Sequence, residues 1–171
     1  MTEDTGQTMV RMGELSVSRT PGHVLATIGL GSCIGLVLLD ADRAHAGLAH
    51  IVLPTSNGSD AAVGKFADRA LPALIEEMAA IGVRKSRLQA IIVGGAQMFA
   101  LEPSSTLDIG RRNEQAAREA LTLAGLAVRA ADTGGKQGRT LRVYVGSGRV
   151  TVKVPGAEEI DLLPVPAGAR A

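Results

Sequence analysis

The sequence predicts an α+β fold in which mixed or antiparallel β-sheets pack in layers with two main helices. Three observations lead there. Short apolar runs bounded by Gly, Pro, Ser and Asn outnumber the stretches with helical periodicity. The runs do not alternate regularly with those stretches, as a doubly wound parallel sheet would require. A chain of 171 residues is also long enough to bury one sizeable core. The expected organisation is one domain over residues 9–154, with flexible tails at 1–8 and 155–171.

Taken in order, the polar start gives way to Val10, Met12, Leu15 and Val17, which suggest a first strand. A second strand ends near Ile28, and Ile34–Leu39 with Leu48–Leu53 read as a hairpin through Asp40-Ala41-Asp42-Arg43. Thr55–Asp60 is a polar loop. From about Ala61 to Ile81, apolar Phe66, Ala70, Leu71, Leu74, Ile75, Met78 and Ile81 recur at helical spacing, with Gly82 suited to the stop. Pro72 lies inside this pattern, so the helix either kinks there or starts near Leu71. Leu88–Val93 reads as a buried strand, Arg111–Ala124 as a second helix ended by Gly125, and Leu126–Ala130 as another strand. Thr140–Val145 and Arg149–Val154 flank Gly146-Ser147-Gly148, a hairpin signal.

Composition narrows the function classes. Lys plus Arg total 18 against 17 Asp plus Glu, so the net charge of +1 supplies no field for gathering nucleic acid or anionic membrane. Two Phe, one Tyr and no Trp leave few rings for stacking bases. Arg84-Lys85-Ser86-Arg87 is the one dense basic cluster and reads as a solvated turn. Gly94-Gly95-Ala96-Gln97 and the glycine-rich stretch from Gly134 lack phosphate-loop or dinucleotide-fingerprint spacing, so they read as tight turns or close backbone approaches. One Cys and the unpaired spacing of His23, His45 and His50 make no metal-ligand set, and no cofactor is expected. The start of the chain has no signal-peptide pattern, and no apolar run approaches the roughly 18 residues of a membrane span. A cytoplasmic protein is expected, where an unpaired thiol stays reduced.

Cys33 is the single cysteine, in the small-residue segment Gly29-Leu30-Gly31-Ser32-Cys33, and so reads as a candidate nucleophile; an inert buried thiol is the alternative. A hairpin centred between Ala41 and Asp42 puts Cys33 directly across from His50, with Cβ atoms roughly 5 Å apart. A loop centred nearer Ala44 would instead pair Cys33 with Pro54. If His50 stabilises the thiolate, the Cys33 pKa should fall below the free-cysteine value of about 8.5.

Beyond these two residues, Met12-Gly13-Glu14, Leu25 to Cys33, Gly47-Leu48-Ala49-His50 with Leu53-Pro54, and Lys65-Phe66-Ala67-Asp68 with Ala70 to Leu74 form a word pattern. It continues in Gly94-Gly95-Ala96-Gln97-Met98-Phe99, Ile109-Gly110-Arg111-Arg112-Asn113, and Asp132-Thr133-Gly134-Gly135 with Gly138-Arg139. In this order the words resemble the chemoreceptor glutamine deamidase family, CheD, over nearly the whole chain. Gln97 stands where that family more often has Asn, and Lys136-Gln137 fills a variable spacer.

The resemblance implies a Cys, His and Thr site at Cys33, His50 and Thr27, a Cys-hydrolase-like arrangement at a strand/loop edge. It implies hydrolysis of glutamine side-chain amides on the cytoplasmic domains of methyl-accepting chemotaxis proteins, and a companion phosphatase, CheC, as a further partner. A glutamyl methyl ester presents the same carbonyl, so methylesterase side activity is chemically reasonable. The oxyanion would be met by backbone N–H groups of the Gly31 to Cys33 segment, Gly31 and Ser32 among them. A non-catalytic adaptor for receptors or the phosphatase, and a Cys hydrolase of small amides, are the competing readings.

Overall fold

The computed structural model describes residues 6–40, 42, 45–98 and 108–164. Ten strands run in chain order: β1 (Gln7–Met9), β2 (Leu15–Ser18), β3 (Val24–Leu30), β4 (Ile34–Asp40), β5 (His45–Ile51), β6 (Leu88–Gly94), β7 (Val128–Thr133), β8 (Arg139–Tyr144), β9 (Arg149–Lys153) and β10 (Ile160–Leu163). Two α-helices, α1 (Ala67–Ala80) and α2 (Ile109–Ala124), flank β6 in sequence. The strands form two five-stranded sheets, an outer one of order β1-β3-β8-β9-β10 and a central one of order β2-β5-β4-β6-β7. Both are mixed, because β1 pairs parallel with β3 and β7 parallel with β6 while every other pairing is antiparallel. The α+β layered expectation holds.

Side-chain alternation along β4 produces the layering. Ile34, Leu36 and Leu38 join a core with Leu71, Leu74 and Met78 of α1 and Ala117 and Leu121 of α2. Val37 and Leu39 join a second core with Leu25, Leu141, Val143 and Val150 of the outer sheet. A strand covered on both faces needs apolar residues at every position, which is why Ile34–Leu39 reads as a continuous run. The order is therefore outer sheet, central sheet, helices.

Several elements differ from the sequence expectation. Val10 to Val17 is not one strand: β1 lies in the outer sheet and β2 in the central one, so the chain changes sheet between them. Gln7 and Thr8, expected in a flexible tail, belong with Met9 to strand β1. Ile160–Leu163, also expected in a tail, is an edge strand on β9. It is tied down by Arg149–Asp161 at 2.5 Å, by Arg142–Glu159 at 3.4 Å, and by a hydrogen bond from Thr151 to Glu159. The prolines and small residues of 155–171 read as a tail, whereas Asp161 and the preceding Glu159 pair with Arg149 and Arg142 to hold the strand. Helix α1 begins at Ala67 and runs through Pro72, so the start near Leu71 is not observed. Its fourteen residues outweigh one missing backbone donor near the first turn.

Arg87 is more than part of a solvated turn. Its guanidinium reaches Asp40 at 3.2 Å and Asp42 at 2.8 Å, bracketing the end of β4. The glycines after both helices and in the β8–β9 turn adopt positive φ as expected.

Gly94, at the end of β6, has φ +115°, and a Cβ there would lie 2.1 Å from the Cys33 carbonyl oxygen. Gly94→Ala should therefore lower stability by on the order of 3 kcal/mol. The check is the urea midpoint; a wild-type midpoint would show that the backbone contact is soft.

Candidate active site

The site forms where the chain crosses between sheets. Strand β3 belongs to the outer sheet and β4 to the central one, so Gly31, Ser32 and Cys33 must carry the backbone across the inter-sheet layer. The crossing starts inside β3, whose register on β8 shifts between Thr27 and Leu30. Gly29, at φ +74°, sits in that irregularity, and its carbonyl accepts from Gly31 N–H at 2.9 Å.

Thr27 and His50 face each other across the layer, Thr27 from β3 and His50 from β5. Thr27 is fully buried and His50 is 2 % exposed. The Thr27 hydroxyl donates to the Val10 carbonyl at 2.7 Å, and its oxygen lies 2.8 Å from His50 Nδ1. A hydroxyl has one proton, so with that proton on Val10 the oxygen accepts from Nδ1–H. The Val10 carbonyl lies 3.4 Å from the same nitrogen and reinforces this tautomer. Nε2 is left with its lone pair, buried and without a hydrogen-bond partner among the described residues. An imidazole held this way has a free basic nitrogen of fixed direction.

Cys33 enters the same layer, 7 % exposed and packed in the core between the sheets. Its position corrects the expected register. The observed pairs are Ile34 with Ile51 and Gly35 with His50, which puts Val52, rather than His50 or Pro54, across from Cys33. The expectation treated Asp40 as a turn residue. It is in fact a strand residue, 1 % exposed, paired with His45 and bound by Arg87. The two-residue shift keeps every side chain on its predicted face. Cys33 and His50 are thus diagonal neighbours, with a backbone separation of roughly 7–8 Å for such positions. Gly35, directly opposite His50, has no side chain; a Cβ there would lie 2.6 Å from Leu141.

Burial sets the charge state. Desolvation pushes the Cys33 thiol above its ordinary value, against the lowered pKa expected from sequence. Desolvation likewise pushes His50 down, outweighing the bond to the Val10 carbonyl and the charge of Glu14. Both shifts favour a neutral thiol beside a neutral imidazole.

The crossing loop is held by its carbonyl oxygens. Gly31 O accepts from Ala96 N–H at 2.8 Å, Ser32 O from Asn113 Nδ2 at 2.9 Å, and Cys33 O from Gly95 N–H at 2.9 Å. In a planar trans peptide the C=O and N–H point in opposite directions. The Ser32 and Cys33 N–H groups therefore point away from these anchors, and neither has an acceptor among the described residues. Within the Gly31 to Cys33 segment expected to meet an oxyanion, Ser32 and Cys33 thus carry N–H groups with no acceptor among the described residues, whereas Gly31 N–H donates to Gly29 O.

Val10 and Asn113 went unassigned at the sequence level. Val10 acts through its carbonyl, which leaves no mark on residue identity. Asn113 is a fully buried amide in an otherwise amphipathic helix, and that break in pattern was the available signal. Among the described residues no group of three or more His, Cys, Asp or Glu stands together as a metal site. No helix among them is long and apolar enough to cross a membrane.

The lowered His50 pKa means that its contribution to stability is present above about pH 6.5 and lost as pH falls toward the folded value, because the unfolded chain binds the proton more readily. His50→Gln should flatten the decline of the urea midpoint just below that pH; an unchanged decline would assign the proton uptake elsewhere. The raised thiol pKa predicts iodoacetamide alkylation of Cys33 still accelerating above about pH 9. A rate that levels off well below that would mean a preformed thiolate.

A family model for CheD chemotactic sensory transduction matches residues 52–154. The chain is similar to two proteins named Probable chemoreceptor glutamine deamidase CheD. That of Methanococcus vannielii is 40% identical over 145 residues, 84% of this chain and 92% of the relative. That of Caldanaerobacter subterraneus subsp. tengcongensis is 45% identical over 150 residues, 86% and 92%. Among solved structures, Bacillus licheniformis hypothetical protein YfiH aligns at TM-score 0.45 and 13% identity, over 69% of this chain and 51% of that one. By the family match and by the extent of identity with these relatives, the chain belongs to the CheD family.

Proposed function

We propose that the protein hydrolyses glutamine side-chain amides of chemoreceptors to glutamate and ammonia through a thioester on Cys33. The names of the relatives support the substrate, and the Thr27–His50 bond supports the chemistry, because it turns a free Nε2 lone pair into the layer that holds the thiol. As Sγ attacks the carboxamide carbon, its proton passes to Nε2 and a carbon–sulfur bond forms. The oxygen becomes an oxyanion facing the free Ser32 and Cys33 N–H groups. His50 returns the proton to nitrogen, the carbon–nitrogen bond breaks and ammonia leaves. Water then gives a proton to the neutral imidazole and attacks the thioester. The carbon–sulfur bond breaks, His50 returns that proton to Sγ, and the glutamate side chain and the thiol are released.

The reaction suits a neutral resting pair, since charge separates only during attack. Met98, 45 % exposed and packed beside Gly31, gives a protein substrate apolar footing at the loop. The proposed setting is the cytoplasmic domain of a methyl-accepting receptor, with the CheC phosphatase as a competitor for the same face.

Intact-mass analysis of a receptor cytoplasmic fragment should show conversion of amide to acid with wild type and none with Cys33→Ala. Binding without conversion would favour an adaptor, and ammonia release from free glutamine would favour a small-amide hydrolase. Thr27→Val, which leaves Nδ1–H only the 3.4 Å contact to Val10, should lower turnover by about a hundredfold. Thr27→Ser should recover much of that loss. A fully active Thr27→Val would reduce the proposed site to Cys33 and His50.

A further inference from the structure

Asn113 is fully buried on α2, one turn after Gly110, whose position presses the start of the helix against the segment that follows β6: a Cβ on Gly110 would lie 2.3 Å from Ala96 O and 2.7 Å from Gly95 O. From there the amide nitrogen donates to two backbone carbonyls at once, Ser32 O at 2.9 Å and Val52 O at 2.9 Å. Both acceptors are oxygens, which fixes the amide's orientation, since the reverse would set Oδ1 against two carbonyls. Oδ1 itself is buried and has no hydrogen-bond partner among the described residues. The cost of a buried, unsatisfied acceptor is of the order of a full hydrogen bond, so the side chain is held for what its nitrogen does.

The two carbonyls belong to the two halves of the candidate site. Ser32 O shares a peptide unit with Cys33 N–H, and that unit is planar. A bond that fixes the carbonyl therefore fixes the direction of the N–H. Val52 lies two residues beyond His50 and across from Cys33 in the observed register. One amide thus ties the loop carrying the nucleophile to the strand carrying the base. The other loop anchors, Ala96 N–H and Gly95 N–H, are backbone groups that no substitution of a side chain removes. Asn113 is the side-chain anchor among the three.

We infer that Asn113 is a positioning residue that aims the Cys33 N–H at the oxyanion. The inference rests on the proposed Cys33 mechanism. It assigns Asn113 no contact with substrate, so its loss acts on the transition state rather than on binding.

Asn113→Asp keeps the size and replaces the donor with a carboxylate facing two carbonyls. Turnover of a receptor fragment should fall by about a hundredfold, as for loss of one oxyanion donor, with KM changed by less than about threefold. Iodoacetamide alkylation of Cys33 needs no oxyanion donor, so its rate should stay within about threefold of wild type. Acidification gives the carboxyl introduced by Asn113→Asp a proton to donate to one carbonyl, so the ratio of variant to wild-type turnover should rise as pH is lowered. Asn113→Ser, with one donor in a smaller side chain, covers failure of the first variant to fold, and its expected turnover loss is smaller but again without loss of alkylation. Wild-type turnover in the folded variants, or alkylation falling in step with turnover, would overturn the inference. Cys33→Ala is run alongside. Full activity there removes the underlying mechanism, whereas an inert Cys33→Ala beside a fully active Asn113→Asp removes the role of Asn113 alone.

Discussion

The structure depends on one short crossing. Between Thr27 and Ile34 the chain leaves the outer sheet and enters the central one, and three residues span the layer between them. So abrupt a crossing leaves the peptide groups of Gly31, Ser32 and Cys33 outside any ladder. Buried polar groups need partners, and the carbonyls find theirs in Gly95, Ala96 and Asn113. The end of β6 and the start of α2 must therefore sit where they do. Close backbone approach at Gly94 and Gly110 follows from the same requirement.

The Thr27–His50 pair is the counterpart of that crossing on the side-chain level. It joins the two sheets by a hydrogen bond in a layer otherwise filled by Leu25, Leu30, Val37, Leu141 and Val143. An apolar surround weakens ions and strengthens hydrogen bonds. The same burial that raises the thiol pKa and lowers that of the imidazole thus makes the Thr27–His50 geometry firm. A thiol and an imidazole kept neutral suit the proposed reaction, in which charge develops only transiently.

Much of this was legible in the sequence, for identifiable reasons. The single thiol among small residues stood out, and period-two alternation put Cys33 and His50 on one face even though the register was displaced by two. The displacement came from Asp40, whose burial is possible because Arg87, distant in sequence, meets it. Strand β10 was lost for a related reason: the prolines and small residues of 155–171 read as a loose tail, and the partners that hold Glu159 and Asp161, Arg142 and Arg149, lie on other strands. The partners of the crossing loop were the least legible part. Main-chain carbonyls such as Val10 O and Val52 O carry no signature in residue type, so Val10 could be given no role from sequence alone, and Asn113 offered only its break in an amphipathic pattern.

The two halves of the Thr27–His50 bond are mounted on different sheets, and this makes the imidazole a gauge of the spacing between them. A substitution such as one at Leu30 or Leu141, both of which crowd the space above Gly35, can widen or thin the layer slightly without unfolding it. The hydrogen bond responds to that change before the cores do, since its strength falls steeply with distance and angle. The thickness of the packing between the sheets is therefore a quantity on which selection can act through activity, by way of apolar residues with no chemistry of their own.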